Sequence, residues 1–140
     1  MTDKYFLDTN VFVYAFDRQE INKRKIANKL IKSALVDGNG CISSQVIREF
    51  VNVATRKFVV PLSVADCRQY LDKVLVPLCE IYADTGLYHR ALDIMERWQF
   101  SFYDALIIAA AIQTDCNHLY SEDLQHQQKI HSLTVVNPFT

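Results

Sequence analysis

Apolar residues along the chain fall into two patterns, short continuous runs and longer stretches with helical spacing. Lys4–Leu7 predicts a buried strand that ends at Asp8, and Asn10–Phe16 predicts a short helix capped by Thr9 or Asn10. Glu20–Val36 carries Ala27, Leu30, Ile31 and Ala34 on one face and stops at Gly38, so it predicts a long helix. Gly40–Ile42 predicts a short strand. Ser43 or Ser44 then caps a helix to about Phe58, with Val46, Ile47, Phe50, Val53 and Ala54 at helical spacing. Pro61 breaks that helix, and Ser63 starts another to about Leu75. Leu78–Tyr82 predicts a strand, and Asp84 or Thr85 caps the helix that runs to about Trp98. Ser101–Thr114 is apolar almost all round, which predicts a central helix. His118–Tyr120 and Leu133–Val136 predict the last two strands.

Strands separated by helices imply an α/β fold, a parallel sheet with helices on both faces. In such sheets the functional crevice lies at the carboxyl ends of the strands. The length of 140 residues predicts one domain over residues 1–140, with enough chain to bury its own core. Three Gly and three Pro argue against a disordered or loop-rich chain. The acidic N-terminal string Met1-Thr2-Asp3 does not resemble a secretory signal. The longest strongly apolar run, Ala105 to Ile112, is far short of the ~20 residues that span a bilayer. Cys41, Cys67, Cys79 and Cys116 are scattered, which predicts buried thiols in a reducing cytoplasm rather than disulfides. Cys116, His118, His126 and His131 match no zinc spacing.

The residues that follow the strands are acidic. Asp8 closes the first strand, Glu49 lies just over one turn into the helix after Ser43 and Ser44, and Asp104 begins the apolar helix. Ser121, Glu122 and Asp123 follow the strand His118–Tyr120. Each has a plain structural reading. Asp8 can cap the next helix, Glu49 can be a solvated flank residue, and Asp104 completes an S-x-x-D capping box with Ser101. Glu122 and Asp123 can be first-turn acids favoured by a helix dipole. Together these readings weaken, because carboxylates converging in one crevice repel and resist desolvation. A hard divalent cation resolves that conflict, since it takes oxygen ligands and bridges carboxylates to phosphates.

The strings Phe6-Leu7-Asp8-Thr9-Asn10-Val11, Ile47-Arg48-Glu49-Phe50, Tyr103-Asp104-Ala105-Leu106-Ile107 and Tyr120-Ser121-Glu122-Asp123-Leu124 resemble a PIN-domain ribonuclease. The chain is most similar to VapC-type toxins of type II toxin–antitoxin systems, from about Lys4 to Val136. The resemblance implies a three-layer αβα domain with a mainly parallel central sheet of about five strands. It places the family's four acids on Asp8, Glu49, Asp104 and Asp123. Asp8, Asp104 and Asp123 are then expected as metal ligands, with Glu49 a ligand or acting through a water. Thr9, Asn10, Ser44 and Ser121 match supporting polar positions. Glu122 is extra, which leaves open whether it or Asp123 faces the metal.

The activity implied is hydrolysis of RNA phosphodiesters (tRNA, rRNA or mRNA) with Mg²⁺ or Mn²⁺, leaving a 5′-phosphate and a 3′-hydroxyl. The partners implied are an RNA substrate, a VapB-like antitoxin and a second copy of the chain as a homodimer. A housekeeping PIN nuclease and a nuclease-dead RNA-binding or scaffold module are the alternatives. The second is disfavoured because none of the four acids is missing. A haloacid-dehalogenase phosphatase needs Asp-x-Asp after its first strand, and Asp8-Thr9-Asn10 does not supply it. The net charge of −1 conceals a stretch from Asp17 to Lys32 that carries +4, leaving −5 elsewhere. Its Lys25, Lys29 and Lys32 form one stripe, most simply a solvated face. Arg18, Arg48 and Arg56 are candidate contacts for RNA phosphates, and Tyr14, Phe16 and Phe102 are candidate stacking residues.

Overall fold

A computed structural model describes residues 3–140 of the chain; Met1 and Thr2, which open the acidic N-terminal string, lie outside the described residues. The elements run β1 (Tyr5–Leu7), α1 (Thr9–Tyr14), α2 (Ile21–Asp37), β2 (Gly40–Ser43) and α3 (Ser44–Arg56). They continue with α4 (Val64–Tyr70), a π-helical turn (Leu71–Leu75), α5 (Val76–Leu78), β3 (Cys79–Ile81) and α6 (Thr85–Trp98). The last are α7 (Phe102–Gln113), β4 (His118–Tyr120), β5 (Lys129–Ile130) and β6 (Leu133–Val136). The sheet has six strands in the order β3-β2-β1-β4-β6-β5, with helices around it.

Every pairing is parallel except β5 with β6. The strand beyond the expected five is therefore the two-residue β5, which hairpins onto β6 through His131 at φ 56°. The chain leaves β1 for β2 and β3 on one side, then crosses to β4 on the other. The carboxyl ends of β1 and β4 thus flank the switch point of the sheet, where α/β folds bind ligands.

The core forms because the apolar periodicities meet. Phe6 and Leu7 of β1, Ile42 of β2, Leu119 of β4 and Val135 of β6 are fully buried, with Val11 and Phe12 of α1 and Val46 and Phe50 of α3. Helix α7 is buried from Ala105 to Ala111, as its uniformly apolar sequence predicts. Gly40 lets α2 approach the sheet: a Cβ there would stand 2.5 Å from the Ala34 Cβ and 2.7 Å from the Tyr5 ring. Gly38 ends α2 in the left-handed region at φ 72°.

Several helix ends differ from expectation. The cap of α1 is Asp8 rather than Thr9 or Asn10, so the plain capping reading of Asp8 holds. The helix begun at Ser63 does not stop near Leu75 but passes through the π turn into α5. Pro77, which lacks an N–H, falls one residue before the end of that continuous helical run. Among the described residues no helix is long and apolar enough to cross a membrane. Cys41, Cys67 and Cys116 are buried free thiols, and Cys79 is partly buried.

Candidate active site

The end of β1 is fixed to the end of β4 by the Asp8 N–H, which donates to the Tyr120 carbonyl at 3.0 Å. Ser121, one residue later, donates its own N–H to the Val136 carbonyl at 3.0 Å. These bonds bring Asp8 and Ser121 side by side. Ser121 Oγ donates to Asp8 Oδ2 at 2.7 Å, and the Thr9 N–H donates to Oδ1 at 2.7 Å. Ser121 Oγ in turn accepts from the Asp123 N–H at 3.2 Å, which turns the loop after β4 back toward β1.

Asp8 is 7% exposed. Burial pushes its carboxyl up to about 6 from an ordinary 3.8. The bonds from Ser121 and Thr9 oppose that rise, and the Asp123 and Glu49 carboxylates reinforce it.

Around Asp8 lies a cleft of about 300 Å³, lined by Asp8, Thr9, Asn10, Gln45, Glu49, Asn52, Val53, Tyr103, Asp104, Ile107 and Asp123. All four predicted acids therefore meet there. Glu49 is held by Thr9 Oγ1, which donates to Oε1 at 2.6 Å, and by Gln45 Nε2, which donates to Oε2 at 3.3 Å. Asp123 Oδ2 accepts from Asn10 Nδ2 at 3.1 Å. Asp104 sits in the first turn of α7, where its N–H donates to the Ser101 cap at 3.3 Å. No hydrogen bond restrains the Asp104 carboxylate among the described residues, so the capping-box reading is met by its backbone alone.

The donor set suits a hard cation. It is all oxygen, and the buried Asn10 Oδ1 has no hydrogen-bond partner. Among the described residues, however, no three His, Cys, Asp or Glu side chains stand close enough to grip an ion directly. Neutral donors from Thr9, Asn10, Gln45 and Ser121 orient three of the carboxylates instead. Mg²⁺ fits such a site, because it keeps several waters and needs only one or two carboxylates.

The choice between Glu122 and Asp123 has a geometric answer. Tyr14 Oη donates to Glu122 Oε1 at 2.5 Å, and Lys23 Nζ donates to Oε2 at 2.8 Å. Partial burial pushes the Glu122 carboxyl up, but the Lys23 ammonium and the Tyr14 hydroxyl outweigh it and hold the group below its ordinary value. Lys23 also lies 4.7 Å from the Tyr14 ring centroid, and Tyr14 packs against Phe139. Tyr14 is therefore a clamp on the loop and not a free stacking surface. Glu122 is tied outside the cleft, and Asp123 lines it. No helix follows Ser121, so the helix-dipole reading of these two acids falls.

Other expected residues lie elsewhere. Ser44 Oγ accepts from the Ala83 N–H at 3.3 Å and ties α3 to the segment after β3, so it does not line the cleft. Arg18, Arg48 and Arg56 are exposed, and none lines the cleft. Arg56 is seven residues from Glu49, which returns it to within about 20° of the same helical stripe. Phe16 packs among Phe50, Phe58 and Tyr70.

Gln45, Asn52 and Tyr103 line the cleft without having been singled out. Gln45 is 7% exposed and also donates to the Tyr103 carbonyl at 3.2 Å, linking α3 to α7. Its position one turn before Glu49 was the available signal.

The sequence matches the PIN-domain family model over residues 5–130. No curated protein sequence matches it. A toxin–antitoxin complex from Klebsiella pneumoniae shares 16% identity over 96% of this chain and 98% of the other, with a TM-score of 0.66. VapC20 of Mycobacterium tuberculosis, a sarcin-ricin loop cleaving toxin, shares 20% identity over 86% of this chain and 90% of its own, with a TM-score of 0.61. VapBC2 from Rickettsia felis, bound to a DNA fragment from its promoter, shares 21% over 94% and 96%, with a TM-score of 0.58. At these identities the likeness is one of fold.

Proposed function

The chain belongs to the PIN-domain family, and on that premise we propose that it is a metal-dependent endoribonuclease of VapC type, the toxin of a toxin–antitoxin pair. The observation that carries the reading is the buried, proton-attracting carboxylate of Asp8 at the switch point of the sheet, facing Glu49, Asp104 and Asp123 across one cleft. Asp8 also caps α1, but neither capping nor packing calls for four carboxylates in one cleft, and a cation would offset their mutual repulsion. The structural neighbours that are toxins and toxin–antitoxin complexes support the biological role.

In this reading one or two of Asp8, Asp104 and Asp123 would bind Mg²⁺ or Mn²⁺ directly and the rest through its waters, with Glu49 joining them or acting through a water. The ion, when bound, neutralises the phosphate oxygens and activates water for hydrolysis. The chain's own residues prepare that chemistry. Thr9 and Ser121 fix both oxygens of Asp8, so its orientation costs nothing on binding. Thr9 and Gln45 hold Glu49 across the cleft from it, and Asn10 holds Asp123. Asp104, unrestrained, is free to turn to the incoming ion.

The substrate is RNA, and the exposed Arg56, on the stripe of Gln45, Glu49 and Asn52, is placed to meet its backbone. A single domain working in the cytoplasm, a homodimer and a VapB-like antitoxin complete the proposal. Exposed Ile21 and Val36 on α2 and Val64 on α4 are available for the protein contacts.

Expression in a bacterial host tests the reading. Wild-type protein arrests growth and shortens RNA, and Asp8→Asn or Asp104→Asn, folded, does neither. A folded variant of either kind that still arrests growth overturns the site.

A further inference from the structure

Tyr103 is 65% exposed, yet it lines the carboxylate cleft and precedes Asp104 in the chain. The rest of α7 is buried almost throughout, so this helix places its one open aromatic ring at the cleft mouth. The position is prepared. The Tyr103 carbonyl accepts from the buried Gln45 amide, which also holds Glu49. The ring meets Phe102 edge-on at a centroid distance of 5.6 Å, and Phe102 lies 6.2 Å from Tyr88. The Tyr103 backbone and ring are thus both braced, while most of the ring surface stays in water. Core packing does not explain it, because the ring adds little to the core.

We propose that Tyr103 is a stacking platform for an unpaired nucleobase next to the scissile phosphate, so that the cleft selects single-stranded or looped RNA. The inference deepens the ribonuclease reading and rests on it. Tyr103 lines the same cleft as Asp8 and Asp104, so a phosphate held by those carboxylates has its adjoining base at the mouth where the ring stands. A paired base in an A-form helix has both faces covered by its neighbours and cannot use the ring. Stacking on one aromatic is sequence-tolerant, so it selects strandedness more than base identity. The hydroxyl is not needed for stacking, so the role predicts that Phe serves as well as Tyr.

The test is binding of a fluorescent single-stranded RNA in Ca²⁺, which replaces Mg²⁺ and suppresses cleavage. Tyr103→Phe binds as the wild type does, and Tyr103→Ala binds about 10- to 100-fold more weakly, the range expected for one stacked base. The loss shrinks when the probe carries an abasic nucleotide at the stacked position, and a hairpin stem of the same sequence binds weakly to all three proteins. Equal binding by wild type and Tyr103→Ala, with RNA bound by both, overturns the platform alone and leaves the ring to a protein partner. A loss that does not depend on the base overturns it too. Failure of the wild type to bind any RNA overturns the ribonuclease reading and the platform with it.

Discussion

Replacing Asp8 by Asn should make the metal-free protein more stable at neutral pH while abolishing its response to metal. The folded protein binds a proton at Asp8 with a pKa of about 6, against 3.8 for the free group, and burial is the main cause. Below about pH 4 the carboxyl is protonated in both states and imposes no penalty. As pH rises through about 6, the folded state must accept a buried anion that the unfolded state carries freely. Stability of the metal-free protein therefore falls across that window, by up to ~3 kcal/mol from this one group.

Asparagine removes the charge and keeps an acceptor for the Thr9 N–H, and Ser121 Oγ can accept from the new amide. Differential scanning fluorimetry in EDTA should show Asp8→Asn melting higher than wild type at pH 7.5, by on the order of 5–10 °C. At pH 4 the difference should vanish. Added Mn²⁺ should raise the wild-type midpoint at pH 7.5 and leave that of Asp8→Asn unmoved. An Asp8→Asn protein that melts below wild type at pH 7.5 in EDTA, or a difference independent of pH, refutes the assignment of Asp8 as a strained, cation-seeking carboxylate.

Asp123→Asn should weaken Mn²⁺ binding in calorimetry at least tenfold, whereas Glu122→Gln should weaken it only a few-fold, because Glu122 is tied to Tyr14 and Lys23; equal losses contradict the geometry. Thr9→Val removes the hydroxyl that holds Glu49 and should lower cleavage about tenfold without a comparable loss of thermal stability, measured by initial rates and melting on the same samples. Gly40→Ala should cost about 1–3 kcal/mol in urea unfolding, because its Cβ would overlap Ala34 and the Tyr5 ring; an unchanged midpoint would show that α2 shifts freely.

Much of the framework was legible because long, consistent patterns carry it. The apolar run of α7, the Ser101 and Ser63 caps, and the strands of β4 and β6 follow from spacing alone. The four acids were legible as candidates because Asp8 and Asp123 follow strands, Asp104 opens a helix and Glu49 lies just over one turn into the helix after β2, and parallel strands carry such residues to one edge. What escaped is short or depends on partners distant in sequence. Strand β5 has two residues, too few for any period, and exists by pairing with β6. The family resemblance implied a supporting role for Ser44 at the cleft, but its hydroxyl accepts from the Ala83 N–H, 39 residues later. Glu122 and Asp123 are adjacent acids with no local difference. Tyr14 and Lys23, from another part of the chain, decide between them. Gln45 is a polar residue buried one turn from Glu49. Only the contact with α7 reveals that it braces two walls of the cleft.

Cleavage of RNA in this carboxylate cleft would depend on a bound divalent cation. Purified protein incubated with RNA in Mg²⁺ or Mn²⁺, followed by sequencing of the new ends, tests it most directly. Internal cuts with 5′-phosphate and 3′-hydroxyl ends are expected, abolished by EDTA and by Asp104→Asn. Cuts that persist in EDTA or in the folded Asp104→Asn protein, or no cuts with either metal, would contradict it.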